Sequence, residues 1–410
     1  MSNFAPNSVL NAMIPLCFQI RKLIRRLPGI VIQWVPKPNP KVLEGCGVRG
    51  KVGELCRGCS HVLVVTDSTL YGLGFHQTIV DSLQEEHIDF SLFKEIDSEP
   101  DSDVVEQGRK AAKDSDCIVA LGGGSVMDAS KMIAASLRKP RRSVRSLMQK
   151  FLFARTLPLI TIPTTAGTGA EHTVGAVVKD SKKGNKCATV VVGLNVKAVL
   201  LDSELTLKIP PKITAACGID ALSHGIEGCL ADVKVSVEDV RKSEECVRLV
   251  FENLPEVMRN PDNLAARQAM GRAAFYGGNA INKQLAGYVH AFAHSIGACY
   301  HLSHGEAIAL CLLPVLRYQK EACIKELARL AEVCGIRQQN EAIAAEQFLQ
   351  ALDRLISDCG IQRNGTILQR CDFQHLTRLI AADSINYSPK TTFSDKDILN
   401  VLESMIVTSD

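Results

Sequence analysis

No stretch of this sequence reaches about eighteen consecutive apolar residues, which argues against a membrane-spanning helix. Internal repeats and low-complexity tracts are absent, so neither a solenoid nor a disordered linker is expected. The fifteen cysteines show no repeated spacing, and their odd number in a 410-residue chain does not read as a disulfide scaffold. They read as reduced thiols of a cytosolic protein, the alternatives being an organelle matrix or a peripheral membrane location. Cys56 and Cys59 form an isolated C-x-x-C, with no second pair at zinc-finger spacing.

Acidic residues are missing from positions 1–43, where Arg21, Lys22, Arg25, Arg26, Lys37 and Lys41 stand unopposed. The remainder holds 41 basic against 44 acidic residues, which speaks against a nucleic-acid partner. Within the arm, Val9, Met13, Leu16, Ile20, Leu23 and Leu27 recur at helical spacing around the arginines. Residues 9–27 therefore fit a peripheral membrane contact or a targeting segment, or else a helix docked on its own protein or on a sister subunit.

What is present beyond the arm is a layered pattern. Apolar runs at His61–Thr66, Phe90–Phe93, Cys117–Leu121 and Ala198–Asp202 alternate with helical periodicity at Gly74–Glu86, Val104–Lys113 and Val126–Leu137. That predicts an α/β domain with a parallel sheet. After Pro210-Pro211 the pattern turns helical, as in Ser236–Leu254, Asn263–Ala280 and Glu341–Cys359. The expected division is an arm over residues 1–34, a dinucleotide-binding α/β domain over 35–205 and an all-α metal-binding domain over 206–410.

Four features point to chemistry. The G-x-G-x-x-G fingerprint is lacking, but a strand leads into Gly122-Gly123-Gly124-Ser125 and then a helix, an arrangement that lets backbone and helix N-terminus meet a pyrophosphate. Asp67, at a strand end, suits a ribose diol, which it would hold in NAD while repelling the 2′-phosphate of NADP; it equally suits a helix N-cap. The threonines and glycines of Pro163–Glu171 favour ligand contact over a plain turn. Most specific is the placement of histidine: four of the ten, His290, His294, His301 and His304, fall within fifteen residues. His290 and His294 stand at i, i+4, a relation repeated by Asp220 and His224, so two helix faces can close on one divalent ion. One carboxylate with imidazoles suits Fe²⁺, Zn²⁺, Co²⁺ or Mn²⁺ acting as a Lewis acid.

Four segments in order resemble the signatures of the iron-containing (group III) alcohol dehydrogenases. They are Gly122–Asp128, Pro163–Thr173, Gly218–Gly228 and His290–Gly297 with His304-Gly305, and the resemblance runs from residue 35 onwards. It implies the dehydroquinate-synthase-like fold and a homodimer or higher homo-oligomer. It also implies NAD with Fe²⁺ (or Zn²⁺) as cofactors, and small alcohols or aldehydes, primary alcohols or diols, as substrates. By position, the metal ligands it implies are Asp220, His224, His290 and His304, with His294 as a proton relay. The cofactor residues it implies are Asp67, Gly123, Gly124, Ser125, Asp128, Thr164, Thr165, Thr168, Thr173 and Lys186. His301 matches no family ligand. Two departures stand out: Glu99 adds an acid near the adenosine end, and His172 replaces a small aliphatic residue.

Overall fold

The computed structural model describes residues 34–96, 99–361, 363 and 365–407. The amphipathic arm over residues 9–27 lies outside them.

Among the described residues nine strands, β1 (Lys41–Glu44), β2 (His61–Asp67), β3 (Asp89–Ile96), β4 (Cys117–Gly122), β5 (Phe151–Phe153), β6 (Leu159–Pro163), β7 (Gly175–Lys179), β8 (Lys186–Val192) and β9 (Val196–Leu201), form two sheets. The larger sheet is wholly parallel, in the order β1-β9-β6-β4-β2-β3. Parallel strands need crossover helices, and these cover both faces. Val62, Leu63, Val64 and Val65 of β2 are accordingly all buried, which is why the strand reads as a continuous apolar run rather than an alternating one. Leu63 and Val65 face Met127, Met132 and Ile133 of the helix Gly124–Ser136, whereas Val62 and Val64 face Ile79 and Leu83 of the helix Gln77–Glu85.

The smaller sheet, β5-β8-β7, departs from simple strand–helix alternation. Here β7 and β8 pair antiparallel, from Gly175↔Val190 to Lys179↔Lys186. Such hairpin pairing satisfies backbone groups on a segment too short for a crossover helix.

The last strand ends at Leu201, and the first long helix, Pro211–Leu230, starts on a proline whose missing N–H costs nothing there. Around that helix pack Val237–Arg259, Leu264–Lys283, Tyr288–Tyr300 and His304–Gln319, with four further helices from Ile324 to Val407. Their shared core runs from Ile219 and Leu222 through Val247, Phe292 and Leu312 to Phe348 and Leu402.

The two regions are joined by a close backbone approach. Gly169 adopts φ +60°, and a Cβ built on it would lie 2.4 Å from the Gly278 backbone. Only glycine suits both requirements. Asn282 adds a clasp, accepting from the Val174 N–H at 3.0 Å and donating to the His172 carbonyl at 3.1 Å. The loop after β6 is thereby seated on the helix Leu264–Lys283.

Candidate metal centre and cofactor cradle

Asp220 and His224 occupy successive turns of the buried helix Pro211–Leu230, and His290 sits at the third position of Tyr288–Tyr300. His304 is the first residue of the next helix, whose start is fixed by a capping box between Ser303 and Glu306. The link between these two helices turns at His301, with φ 55°, the left-handed conformation of a helix C-terminus. His301 thus turns the chain, consistent with its lack of a family counterpart.

Ligand-type atoms of Asp220, His290 and His304 all lie within 4.8 Å of one another. Asp220 Oδ1 is 3.2 Å from His304 Nε2 and 3.8 Å from His290 Nε2. His224 stands beside this trio rather than within it: its Nε2 is 3.5 Å from Asp220 Oδ1, and its ring stacks on His290 with centroids 4.7 Å apart. Asp220 Oδ1 and His290 Nε2 are buried and have no hydrogen-bond partner among the described residues. A buried carboxylate oxygen and imidazole nitrogen in that condition are costly unless a cation satisfies them, so the donor set fits a divalent ion.

The electrostatics agree. Burial would raise the Asp220 carboxyl, but His224, His304 and His290 hold it well below the usual carboxylate range. Burial takes the His224 imidazole down to about 3 against the pull of Asp220, leaving it neutral. At His290, Glu227 and Asp220 outweigh burial and lift the imidazole up to about 10, so the local field favours positive charge.

Glu227, which the sequence reading passed over, is the outer partner. One carboxylate oxygen pairs with His290 Nδ1, and the other accepts from the Val289 N–H at 2.7 Å. With a proton held at Nδ1, Nε2 is left as the ligating atom. Its signal in the sequence is its place one turn beyond His224, on the face that carries Asp220. Glu227→Gln is expected to weaken Zn²⁺ affinity about 10- to 100-fold without unfolding the protein, as measured by competition with a chelator. Unchanged affinity would remove Glu227 from the site.

His294 faces a different group. Its Nδ1 is 2.9 Å from Asp383 Oδ2, to which the Tyr387 hydroxyl also donates at 3.1 Å. Its ring stacks on His304 with centroids 5.3 Å apart, and 47% of its side chain is exposed, so the cluster opens to solvent on this side.

The cradle lies at the carboxyl ends of β4 and β6. Gly123 caps the helix that begins at Gly124, and the Thr164 N–H donates to the Gly122 carbonyl at 3.0 Å. Thr165 and Thr168 crowd the glycines: a Cβ on Gly123 would lie 3.6 Å from Thr165, and one on Gly124 3.3 Å from Thr168. Ser125 is the second residue of that helix. A helix N-terminus with threonine side chains beside it is an arrangement that can receive an anion. Asp67 caps the short helix Ser68–Gly72 by accepting from the Leu70 N–H at 2.8 Å, and its second oxygen is not engaged in that contact. Lys186, at the start of β8, pairs with Glu99 at 2.7 Å, both side chains being largely exposed.

Asp128 and Thr173 are drawn into a buried network around Lys131, another residue the sequence reading omitted. The Lys131 ammonium donates to Asp128 Oδ1 at 3.0 Å, Thr173 Oγ1 at 3.2 Å and the Gly175 carbonyl at 2.6 Å, while Asp128 Oδ2 accepts from the Val177 N–H. These contacts tie the cradle helix to β7.

Glu171 is buried beside this network, one of its oxygens without a partner, and burial raises its carboxyl from 4.5 to about 7 despite Lys131. Between those values the folded state binds more protons than the unfolded one, so stability falls as pH rises through the window, by at most about 3 kcal/mol. Urea unfolding from pH 4.5 to 7 should show this slope in the native protein and a flatter profile in Glu171→Gln. An identical slope in both would assign it elsewhere.

Residues 39–203 match the family model for iron-containing alcohol dehydrogenase, and residues 214–406 match that of the C-terminal region of the Fe-containing alcohol dehydrogenase family. The chain belongs to the iron-containing alcohol dehydrogenase family. Within it, the chain is 32% identical over 327 residues to the probable alcohol dehydrogenase EutG of Salmonella typhimurium, covering 78% of this chain and 81% of that protein. It is 30% identical over 328 residues to the NAD-dependent methanol dehydrogenase of Bacillus methanolicus, covering 78% and 86%. The aldehyde-alcohol dehydrogenases of Streptococcus pneumoniae are 29% identical over 374 residues, 84% of this chain but 42% of theirs, so the chain spans less than half the length of those relatives. The crystal structure of 1,3-propanediol oxidoreductase superposes with a TM-score of 0.85 at 27% identity, over 90% of this chain and 99% of that chain. Among the described residues no helix is long and apolar enough to cross a membrane.

Proposed function

We propose that the chain is an NAD-dependent, divalent-metal-dependent dehydrogenase that interconverts primary alcohols or diols and their aldehydes. The observation that carries this reading is the convergence of Asp220 Oδ1 and His290 Nε2, both buried and without a hydrogen bond, beside His304 Nε2. Asp220, His290 and His304 would hold Fe²⁺ or Zn²⁺, with His224 completing the set. When bound, such an ion would supply Lewis acidity towards an alcohol or carbonyl oxygen, and NAD would supply the hydride-accepting capacity.

The chain's own groups do the rest. Glu227 fixes the His290 tautomer. Gly123, Gly124 and Ser125 with Thr164, Thr165 and Thr168 receive the pyrophosphate at the helix N-terminus. Asp67 holds the ribose diol, and together with Glu99 it disfavours a 2′-phosphate, which selects NAD. The relative named for NAD-dependent methanol oxidation supports the same cofactor. His294, with Nδ1 held by Asp383, has Nε2 as the atom that takes up or returns a proton.

His294→Ala is expected to retain the ion and lower turnover on the order of 10²-fold. Full turnover in that variant would exclude the relay. The reading as a whole is tested by metal analysis of protein purified without oxygen. Fe²⁺ or Zn²⁺ is then restored while NADH absorbance is followed over alcohols, polyols and hydroxyacids. Metal-dependent reduction of NAD by primary alcohols or diols is expected. Activity indifferent to metal, or confined to hydroxyacids, would overturn it.

A further inference from the structure

The spacing of Cys56 and Cys59 gives them no partner, but the fold supplies one. Cys117 is the first residue of β4, buried in one core cluster with Cys56 while Cys59 packs against that cluster, and the Cys117 thiol donates to the Ile118 carbonyl at 3.8 Å. Val62 of β2 pairs in register with Cys117, so the three sulfurs gather where β2 and β4 begin. That rim lies at the opposite end of β4 from the Gly122–Gly124 turn, well apart from the cofactor cradle.

The three thiols differ in access. Cys56 and Cys117 are buried, whereas Cys59 is partly exposed. Lys197 donates to the Leu55 carbonyl at 2.5 Å, which brings a cation to the same corner. On the other side stands Asp116, whose carboxylate accepts from the Ser60 N–H at 2.5 Å and the His61 N–H at 3.3 Å. The neighbouring Cys117, helped by Lys197, brings the Cys59 thiol down to about 7 against burial and Asp116. Cys117 itself is pushed well up by its contacts with Cys56 and Cys59 and by burial. A partly exposed thiol that ionises near ambient pH, packed beside a buried second thiol, is an arrangement that favours exchange with disulfides.

We propose that Cys59 and Cys117 form a dithiol site that exchanges with small-molecule disulfides and closes into a Cys59–Cys117 disulfide. The Cys59 thiolate attacks one sulfur of the small disulfide; that S–S bond breaks, and the departing thiolate takes a proton from solvent. The Cys117 thiol then gives up its proton and attacks the Cys59 sulfur of the mixed disulfide, expelling the second thiol. One small disulfide becomes two thiols, and the protein is oxidised by two electrons and loses two protons. Because Cys117 ionises reluctantly, the mixed disulfide on Cys59 should build up before the cross-link closes.

The test uses the full-length, Zn²⁺-loaded protein, glutathione disulfide at pH 7, and peptide mapping over time. Glutathione is expected on Cys59 about tenfold faster than on the exposed Cys371, followed by a Cys59–Cys117 cross-link that dithiothreitol reverses. Cys117→Ser should halt the reaction at the mixed disulfide. Since that position is in the core, a second measurement avoids the substitution: alkylation of Cys59 by iodoacetamide in the native protein should reach half its limiting rate near pH 7, and Lys197→Gln should move this point upward. Cys59→Ser should abolish the cross-link and leave dehydrogenase activity unchanged. Reaction at Cys59 no faster than at Cys371, or a cross-link joining Cys56 to Cys59 instead, would overturn the proposal.

Discussion

Replacing His290 with alanine is expected to remove the bound divalent ion and the dehydrogenase activity together, with kcat/KM falling on the order of 10³-fold or more, about 4 kcal/mol of transition-state stabilisation. The size of the effect follows from the position of the ring. His290 is buried between two carboxylates, its Nδ1 on Glu227 and its Nε2 towards Asp220. Truncation removes a ligating nitrogen and leaves Glu227 with only the Val289 N–H of its present contacts. A buried carboxylate deprived of its partner is costly, so thermal stability should also decline. Metal content by mass spectrometry, circular dichroism and steady-state assays on the same preparation separate the two effects. Glu227→Gln provides the graded comparison, weakening metal affinity while keeping the ligand. A His290→Ala protein that kept both its ion and its activity would dismiss the proposed centre.

The second large effect concerns the joint between the two halves. In Gly278→Ala the new Cβ would lie 2.4 Å from the Gly169 carbonyl oxygen and 2.9 Å from His172 Cε1. Backbone cannot yield as a flexible side chain can, so the loop carrying Thr164–Thr173 must move away from the helix Leu264–Lys283. A loss of about 3 kcal/mol in stability is expected, together with a raised KM for NAD, since Thr168 and its neighbours shape the cradle. Gly271→Ala in the same helix is the control. A Cβ there meets nothing within 4 Å, and the substitution should be neutral or stabilise by about 0.5–1 kcal/mol. Equal stability of the two variants, by urea denaturation, would show that the Gly169–Gly278 approach does not hold the loop.

The dithiol lies at the far end of β4 from the cradle, so its outcome is independent of the two variants above, whereas Glu171 belongs to the loop that Gly278→Ala displaces. Glu171 and His172 share a buried setting in which both His172 nitrogens lack partners and burial takes its imidazole down to about 3. His172 is therefore neutral and packs as an aromatic ring on Phe275, with centroids 4.1 Å apart. This accounts for a histidine at a position where the family resemblance implies a small aliphatic residue.

Much of the architecture was legible in residue order. A run such as Val62–Val65, set among helical segments, reads as a strand buried on both faces of a helix-covered parallel sheet, and helical periodicity located Gln77–Glu85 and Leu264–Lys283 to within a few residues. The i, i+4 spacing of Asp220 with His224 and of His290 with His294 determined which side chains share a helix face. Local sequence settles such matters because dihedral preference and hydrophobic period act over one or two turns. Only the tertiary structure decided what met across those faces: Glu227 behind His290, Asp383 behind His294, Lys131 between Asp128 and Thr173, and Cys117 against Cys59. Each of these pairings joins separate turns, helices or strands, and the hydrogen bond or close packing that selects it exists only once the chain has folded.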